Sequence, residues 1–145
     1  MVLMIVQTLE CDIMPKGKER PRFNNGHVYT SPAQFEHEHQ IRKAWIDEHG
    51  IEPVASSCPV AVIVSFTKPL PKTVRQPRPW ILKPDIDNLA KSVLDALNGV
   101  AYVDDAQIVR LQATKQPQQP DSEAGIRITV IHFDGSDEWE VSDRG

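Results

Sequence analysis

The chain has 145 residues, 40% hydrophobic and 25% charged, with a formal net charge of −4, which fits one globular domain and excludes a disordered or fibrous chain. Cys11 and Cys58 stand far apart with no Cys-x-x-Cys spacing, so the sequence points to reduced intracellular thiols rather than a zinc ribbon or disulfide framework. Net negative charge gives no long-range pull on a polyanion, but twelve of the sixteen Lys and Arg lie between Lys16 and Lys91 against eight acids, and the deficit falls in a tail holding Asp134, Asp137, Glu138, Glu140 and Asp143.

Met1 to Thr8 is apolar and rich in β-formers, which predicts a first strand, with a turn or loop over Met14 to Lys18. The opening MVLMIV lacks a basic leader and turns polar far short of a membrane span, so a soluble cytoplasmic protein without membrane attachment is expected. In RPRFNNGHVYTSP the Asn-Gly pair predicts a tight hairpin between Phe23 and Val28-Tyr29. Ser31-Pro32 then reads as a helix start, Ser as N-cap and Pro at the first helical position. From Ala33 to about His49, Phe35, Ile41, Ala44, Trp45 and Ile46 recur loosely at helical spacing, ending at Gly50.

PVAVIVSF at 59–66 is β-branched and continuous, predicting a central strand buried on both faces. Residues 67–84 combine five prolines with Lys68, Lys72, Arg75, Arg78 and Lys83, which predicts an irregular basic loop. Ile86, Leu89, Ala90, Val93, Leu94 and Leu97 then predict a second amphipathic helix, stopped by Asn98-Gly99. Val100 to Thr114 and Gly125 to Phe133 predict two more strands, an antiparallel final pair joined by KQPQQPDSEA. The expected fold is α/β (α+β), a single domain over 1–133 with a mixed β-sheet of about four to six strands and two main helices packed on it. The acidic tail 134–145, with Trp139, is expected to be flexible or loosely docked.

Asp85, Asp87, Asp104 and Asp105 fall within twenty-one residues of one another. Carboxylates that close repel, so a fold that gathers them supplies a hard cation or leaves them in water. In the extended entry to the helix, Asp85 and Asp87 point the same way, and Lys91, four residues after Asp87, leans back toward them. If Val103 to Ile108 is a regular strand, Asp104 and Asp105 point to opposite faces and only one joins the site. Three aspartates and a lysine describe a metal-assisted phosphodiester hydrolase. Read by residue type alone, Asp85 or Asp87 serves equally as an N-cap and Asp104-Asp105 as a turn. A calcium loop fits poorly, because DIDNLAKSVLDA lacks the third ligand, the central glycine and the closing glutamate.

The run P-D-I-D-N-L-x-K, then L-D-A-L-N-G, then V-D-D-A-Q-I resembles the RusA family of Holliday-junction resolvases, common in prophages and phages. The likeness extends from KGKERPRF and the YTSP helix start to the final strand. It implies that Asp85, Asp87 and Asp105 are metal-binding catalytic aspartates and Lys91 a catalytic lysine, with Asp105 preferred because it directly precedes Ala-Gln. It also implies a homodimer of mixed α/β fold that cuts branched DNA, four-way junctions among them, with Mg2+, for which Mn2+ can substitute, and with no organic cofactor.

No Ser or Cys stands with a histidine base in a way that suggests a covalent intermediate. Lys16, Lys18, Arg20 and Arg22, with Lys72, Arg75, Arg78 and Lys83, are candidates for phosphate contacts. Trp80 either stacks on an unpaired base or packs beside Ile81 and Leu82. His37 and His39 lie half a helical turn apart and lack a third ligand, which disfavours zinc. A non-catalytic branched-DNA-binding protein with structural acids is the competing class, and an unrelated two-carboxylate transferase a third.

Overall fold

The computed structural model describes residues 4–20 and 22–133. The start of the predicted first strand and the acidic tail with Trp139 lie outside the described residues. In chain order the elements are β1 (Met4–Cys11), β2 (Arg22–Asn24), β3 (His27–Tyr29), α1 (Pro32–His49), β4 (Val60–Thr67), α2 (Ile86–Leu97), β5 (Ile108–Lys115) and β6 (Gly125–Phe133). A 3-10 turn at Asp105–Gln107 precedes β5.

The main sheet runs β1-β6-β4-β5, with β6 antiparallel to both β1 and β4 and with β5 parallel to β4. It is a four-stranded mixed sheet carrying two helices, as expected of an α+β domain. The predicted antiparallel pairing of the last two strands does not form, because β6 occupies the other side of β4 from β5. A parallel β4–β5 pair needs a crossover, and α2 supplies it. The separate β2–β3 hairpin turns at Asn25 and Gly26, both at positive φ (51° and 80°), as a two-residue primed turn demands.

Alternation sorts the two faces of the sheet. Val60, Val62, Val64 and Phe66 of β4 join Ile126, Ile128 and Val130 of β6 and Leu9 of β1 in the core, under Ile41 and Trp45 of α1 and Leu89, Val93 and Leu97 of α2. Each of these fully buried aliphatic side chains contributes about 1.5–3 kcal/mol relative to exposure. On the opposite face Ala61 is buried, yet Ile63 is 37% exposed and Met4 and Val6 are open. The expectation that β4 is buried on both faces therefore fails: the two helices cover only one side.

The first helix also differs from its apolar pattern. Ser31 caps it, its Oγ accepting from the Gln34 N–H at 3.1 Å, but Phe35 is 66% exposed and the buried positions are Gln34, His37, Ile41 and Trp45. Two of those four are polar, and both are hydrogen-bonded: Gln34 Oε1 accepts from the Glu19 N–H (3.0 Å) and His37 Nε2 meets the Met14 carbonyl (3.0 Å). They dock the arm 14–19 onto the helices.

Candidate metal and nucleic-acid site

Asp85 stands at the N-cap of α2 with extended backbone, but its carboxylate makes no capping bond. Lys83 Nζ donates to it instead, at 2.8 and 3.0 Å. Asp87 occupies the first turn, where the helix N-terminus favours negative charge, and its Oδ1 accepts from the Asn88 N–H at 3.0 Å. Lys91 follows one turn later and Asp95 one turn after that, so Asp87, Lys91 and Asp95 share a face of α2. Asp85, Asp87 and Lys91 are all exposed.

The predicted regular strand over Val103 to Ile108 is absent; the strand begins only at Ile108. Asp104 and Asp105 do not alternate across a sheet but open a 3-10 turn locked by a capping box. Asp104 Oδ1 accepts from the Ala106 N–H at 3.0 Å, and Gln107 Oε1 accepts from the N–H groups of Val103 and Asp104 at 2.8 and 3.0 Å. Gln107 Nε2 in turn donates to the carbonyls of Ala55 (3.0 Å) and Cys58 (2.9 Å), which pins the turn to the segment before β4. The Asp105 N–H donates to Asn98 Oδ1 at 3.1 Å, tying the turn to the end of α2.

The neighbouring carboxyls of Asp104 and Asp105 shift one another in opposite directions. The hydrogen bond that a protonated Asp105 donates to Asp104 raises the pKa of Asp105, assisted by slight burial and by the charges of Asp104 and Asp95. The Ala106 N–H and the bond to Asp105 lower that of Asp104. Burial first, then the charges of Asp105 and Asp95, hold the proton on the Tyr102 phenol, whose hydroxyl donates to the Leu94 carbonyl at 2.5 Å. Asp95 and Asp105 thus lie in one another's field at the C-terminal half of α2.

Among the described residues no three His, Cys, Asp or Glu side chains come together to hold a metal ion. The donor chemistry nevertheless suits Mg2+, which takes one or two carboxylates and keeps waters for its remaining positions. Asp85 and Asp87 are exposed hard-oxygen donors two residues apart.

The basic arm reaches this end of α2. The Lys18 N–H donates to the Asn88 carbonyl at 3.0 Å, and a Cβ on Gly17 would meet Pro84 Cβ at 3.0 Å and Asn88 Cβ at 3.4 Å. Any larger residue there would press on Pro84 and Asn88. Lys18 Nζ is held between Glu38 and Asp95, the latter at 3.1 Å. Burial alone would lower its pKa, but the two hydrogen bonds raise it. Lys16 pairs with Glu19 at 3.4 Å, and Arg20 is exposed; the Arg22 side chain is outside the described residues. In the proline loop Lys72 and Arg78 are exposed, while Arg75 pairs with Asp121 at 2.9 Å, away from the acids in sequence and partner. Of the eight candidates for phosphate contacts, Lys16, Lys18 and Lys83 lie on the segments that meet the start of α2.

Trp80 packs, being only 5% exposed, and belongs to the core. His37 is engaged by Met14 and, through Nδ1, by Ser92 Oγ at 3.2 Å; His39 is exposed and stacks on Phe35 with ring centroids 6.4 Å apart. Read from sequence alone, Asp95, Asn98, Gln107 and Gly17 have no part in building the site. Asp95 could have been found, since it continues the four-residue spacing of Asp87 and Lys91, whereas Gly17 carries no signal until its neighbours are known.

Comparison with known proteins agrees with this architecture. The chain is similar to the uncharacterized protein YqaN of Bacillus subtilis (strain 168), 32% identical over 126 residues that cover 77% of this chain and 87% of that protein. The family model described as endodeoxyribonuclease RusA matches residues 12–131, a span running from the arm into β6 and including Asp85, Asp87, Asp104 and Asp105. With four-fifths of its length inside that match, the chain belongs to the RusA endodeoxyribonuclease family.

Proposed function

We propose that this protein is a Mg2+-dependent, structure-selective endodeoxyribonuclease that resolves Holliday junctions and related branched DNA by paired nicks. The observation that carries the reading is the placement of exposed Asp85, Asp87 and Lys91 along two turns at the start of α2, in a chain whose family is defined by a nuclease. Asp85, Asp87 and Asp105 are the proposed metal-holding residues, with Mn2+ able to substitute. A bound divalent cation supplies polarisation of the scissile phosphate and a more acidic water.

The chain's own residues do the rest. Lys91, with no carboxylate paired to it among the described residues, offers its ammonium to the non-bridging oxygens as charge develops there. Asp87 sits in the first turn of α2, where the helix dipole favours a negative charge. Lys83 must give up Asp85 for the carboxylate to face a cation, and a backbone phosphate is the natural alternative partner for its ammonium. Arg20, Arg22, Lys16, Lys72, Arg75 and Arg78 are proposed phosphate contacts that position the duplex arms. Two nicks from one acidic cluster per chain call for a two-fold homodimer, and a cytoplasmic location goes with that role.

One observation favours a second reading, a branched-DNA-binding protein without catalysis: the carboxylates of Asp85 and Asp104 are both engaged within the chain. A synthetic four-way junction incubated with the protein, with and without Mg2+, decides between them. Paired nicks only with metal support the nuclease; a retarded band without nicks at any metal concentration supports the binding module.

A further inference from the structure

Lys115 is the last residue of β5 and belongs to none of the groups assigned above. Its Nζ donates to the carbonyls of both Leu82 and Pro84, each at 2.8 Å, and lies 4.7 Å from the centroid of the Trp80 ring. The Pro84 carbonyl is the last backbone group before Asp85. Residues 68–84 contain no helix or main-sheet strand to hold them, so this contact fixes the chain where it enters α2. A buried Trp80 anchors the segment from below, and two charge-assisted hydrogen bonds close it from the side.

We propose that Lys115 is a positioning residue for the acidic site: by tying Leu82 and Pro84 to the end of β5 it sets the direction in which Asp85 and Asp87 present their carboxylates. The proposal rests on the nuclease reading for its consequence, but its structural content stands apart from it. Lys68 is the internal control, because its ammonium also lies over Trp80, at 5.9 Å, while its own carbonyl, not its ammonium, is bonded to the loop through Gln118 Nε2 at 3.5 Å.

The test compares Lys115→Met, which keeps the stem over the indole, with Lys115→Arg and Lys68→Met. In metal-free protein, backbone heteronuclear NOE values at Lys83, Asp85 and Asp87 are expected to fall in Lys115→Met and to stay at parent values in Lys68→Met. Mn2+ titration followed by electron paramagnetic resonance should show Lys115→Met needing about tenfold more metal or beyond, the usual scale for losing a group that orients a ligand, with four-way-junction affinity in EDTA within about twofold of the parent. Lys115→Arg should recover part of the loss. Unchanged NOE values in Lys115→Met, or equal losses in Lys68→Met, overturn the proposal. A parent that neither binds Mn2+ nor nicks junctions overturns the nuclease reading instead, and the NOE comparison still decides the role of Lys115.

Discussion

Lys18 and Asp95 form a 3.1 Å ion pair that joins the basic arm to the face of α2 carrying Asp87 and Lys91. The same ammonium is bonded to Glu38 of α1, so one lysine bridges both helices. That geometry separates Lys18 from the other basic residues: its charge is spent within the protein rather than on a solvated surface.

Lys18→Ala should therefore lower stability by about 1 kcal/mol, less than a fully buried pair because both partners keep some solvent, and leave the salt dependence of junction binding unchanged. Arg20→Ala, at an exposed position, should do the reverse, reducing the slope of log affinity against log salt by about 1 with no change in melting. The readouts are thermal denaturation and junction binding across salt; a reduced slope in Lys18→Ala would show that its ammonium leaves Asp95 for phosphate.

Asp87 and Asp104 provide a contrast between two exposed aspartates. Asp87→Asn preserves shape but removes a charge from the proposed site, so cleavage should fall by about a hundredfold or more while junction binding persists. Asp104 is used by its own turn, accepting from Ala106. Asp104→Asn retains an acceptor there, so cleavage should drop by less than about tenfold. Single-turnover cleavage of a labelled junction measures both; a larger loss at Asp104 would make it, and not Asp105, the third carboxylate.

Gln107 holds the acidic turn through four hydrogen bonds, two accepted and two donated. Gln107→Ala leaves those backbone groups to water or unpaired and should cost about 1–3 kcal/mol, with the denaturant midpoint falling and the m-value unchanged. The turn would also lose its tie to Ala55 and Cys58, so cleavage should fall beyond what the stability loss explains at saturating Mg2+. A parent-like midpoint would mean that the turn is held by Asn98 and Asp104 alone.

The parts of the fold that were legible in the sequence are those where burial and periodicity coincide. Leu89, Val93 and Leu97 recur at four-residue spacing and are completely buried, so α2 and its Asn98-Gly99 stop follow from pattern alone. The same reasoning misplaced the face of α1, because Gln34 and His37 are buried through hydrogen bonds that no hydropathy pattern registers. It also drew β5 too early: Val100, Ala101 and Tyr102 are apolar and buried, which mimics a strand, but Gly99 at φ 86° and the capping box make them a turn. Within the site the identities of the acids were readable, whereas Lys115 and Gly17 act through partners more than thirty residues away and leave no local trace.

His37 links pH to this arrangement. A carbonyl can only accept, so the proton at Nε2 donates to Met14 and Nδ1 accepts from the Ser92 hydroxyl, a network suited to the neutral ring. Burial lowers the pKa of His37, and the nearby charge of Lys16 adds to this, outweighing the Met14 bond and Glu38; burial alone lowers that of His132. Because both folded-state values lie below the unfolded one near 6.5, the unfolded chain takes up more protons as the solution is acidified. Stability is full above about pH 6.5 and declines as pH falls through the folded-state values. Melting temperature should accordingly drop between about pH 6.5 and pH 5, and His37→Gln should flatten that dependence while His132 keeps the remainder. Ser92 lies on α2, one residue beyond Lys91, so protonating Nδ1 breaks a contact between the arm-bearing helix and the helix of the proposed site. Melting curves collected at fixed ionic strength give the result, and a profile as steep in His37→Gln as in the parent would assign the whole effect elsewhere.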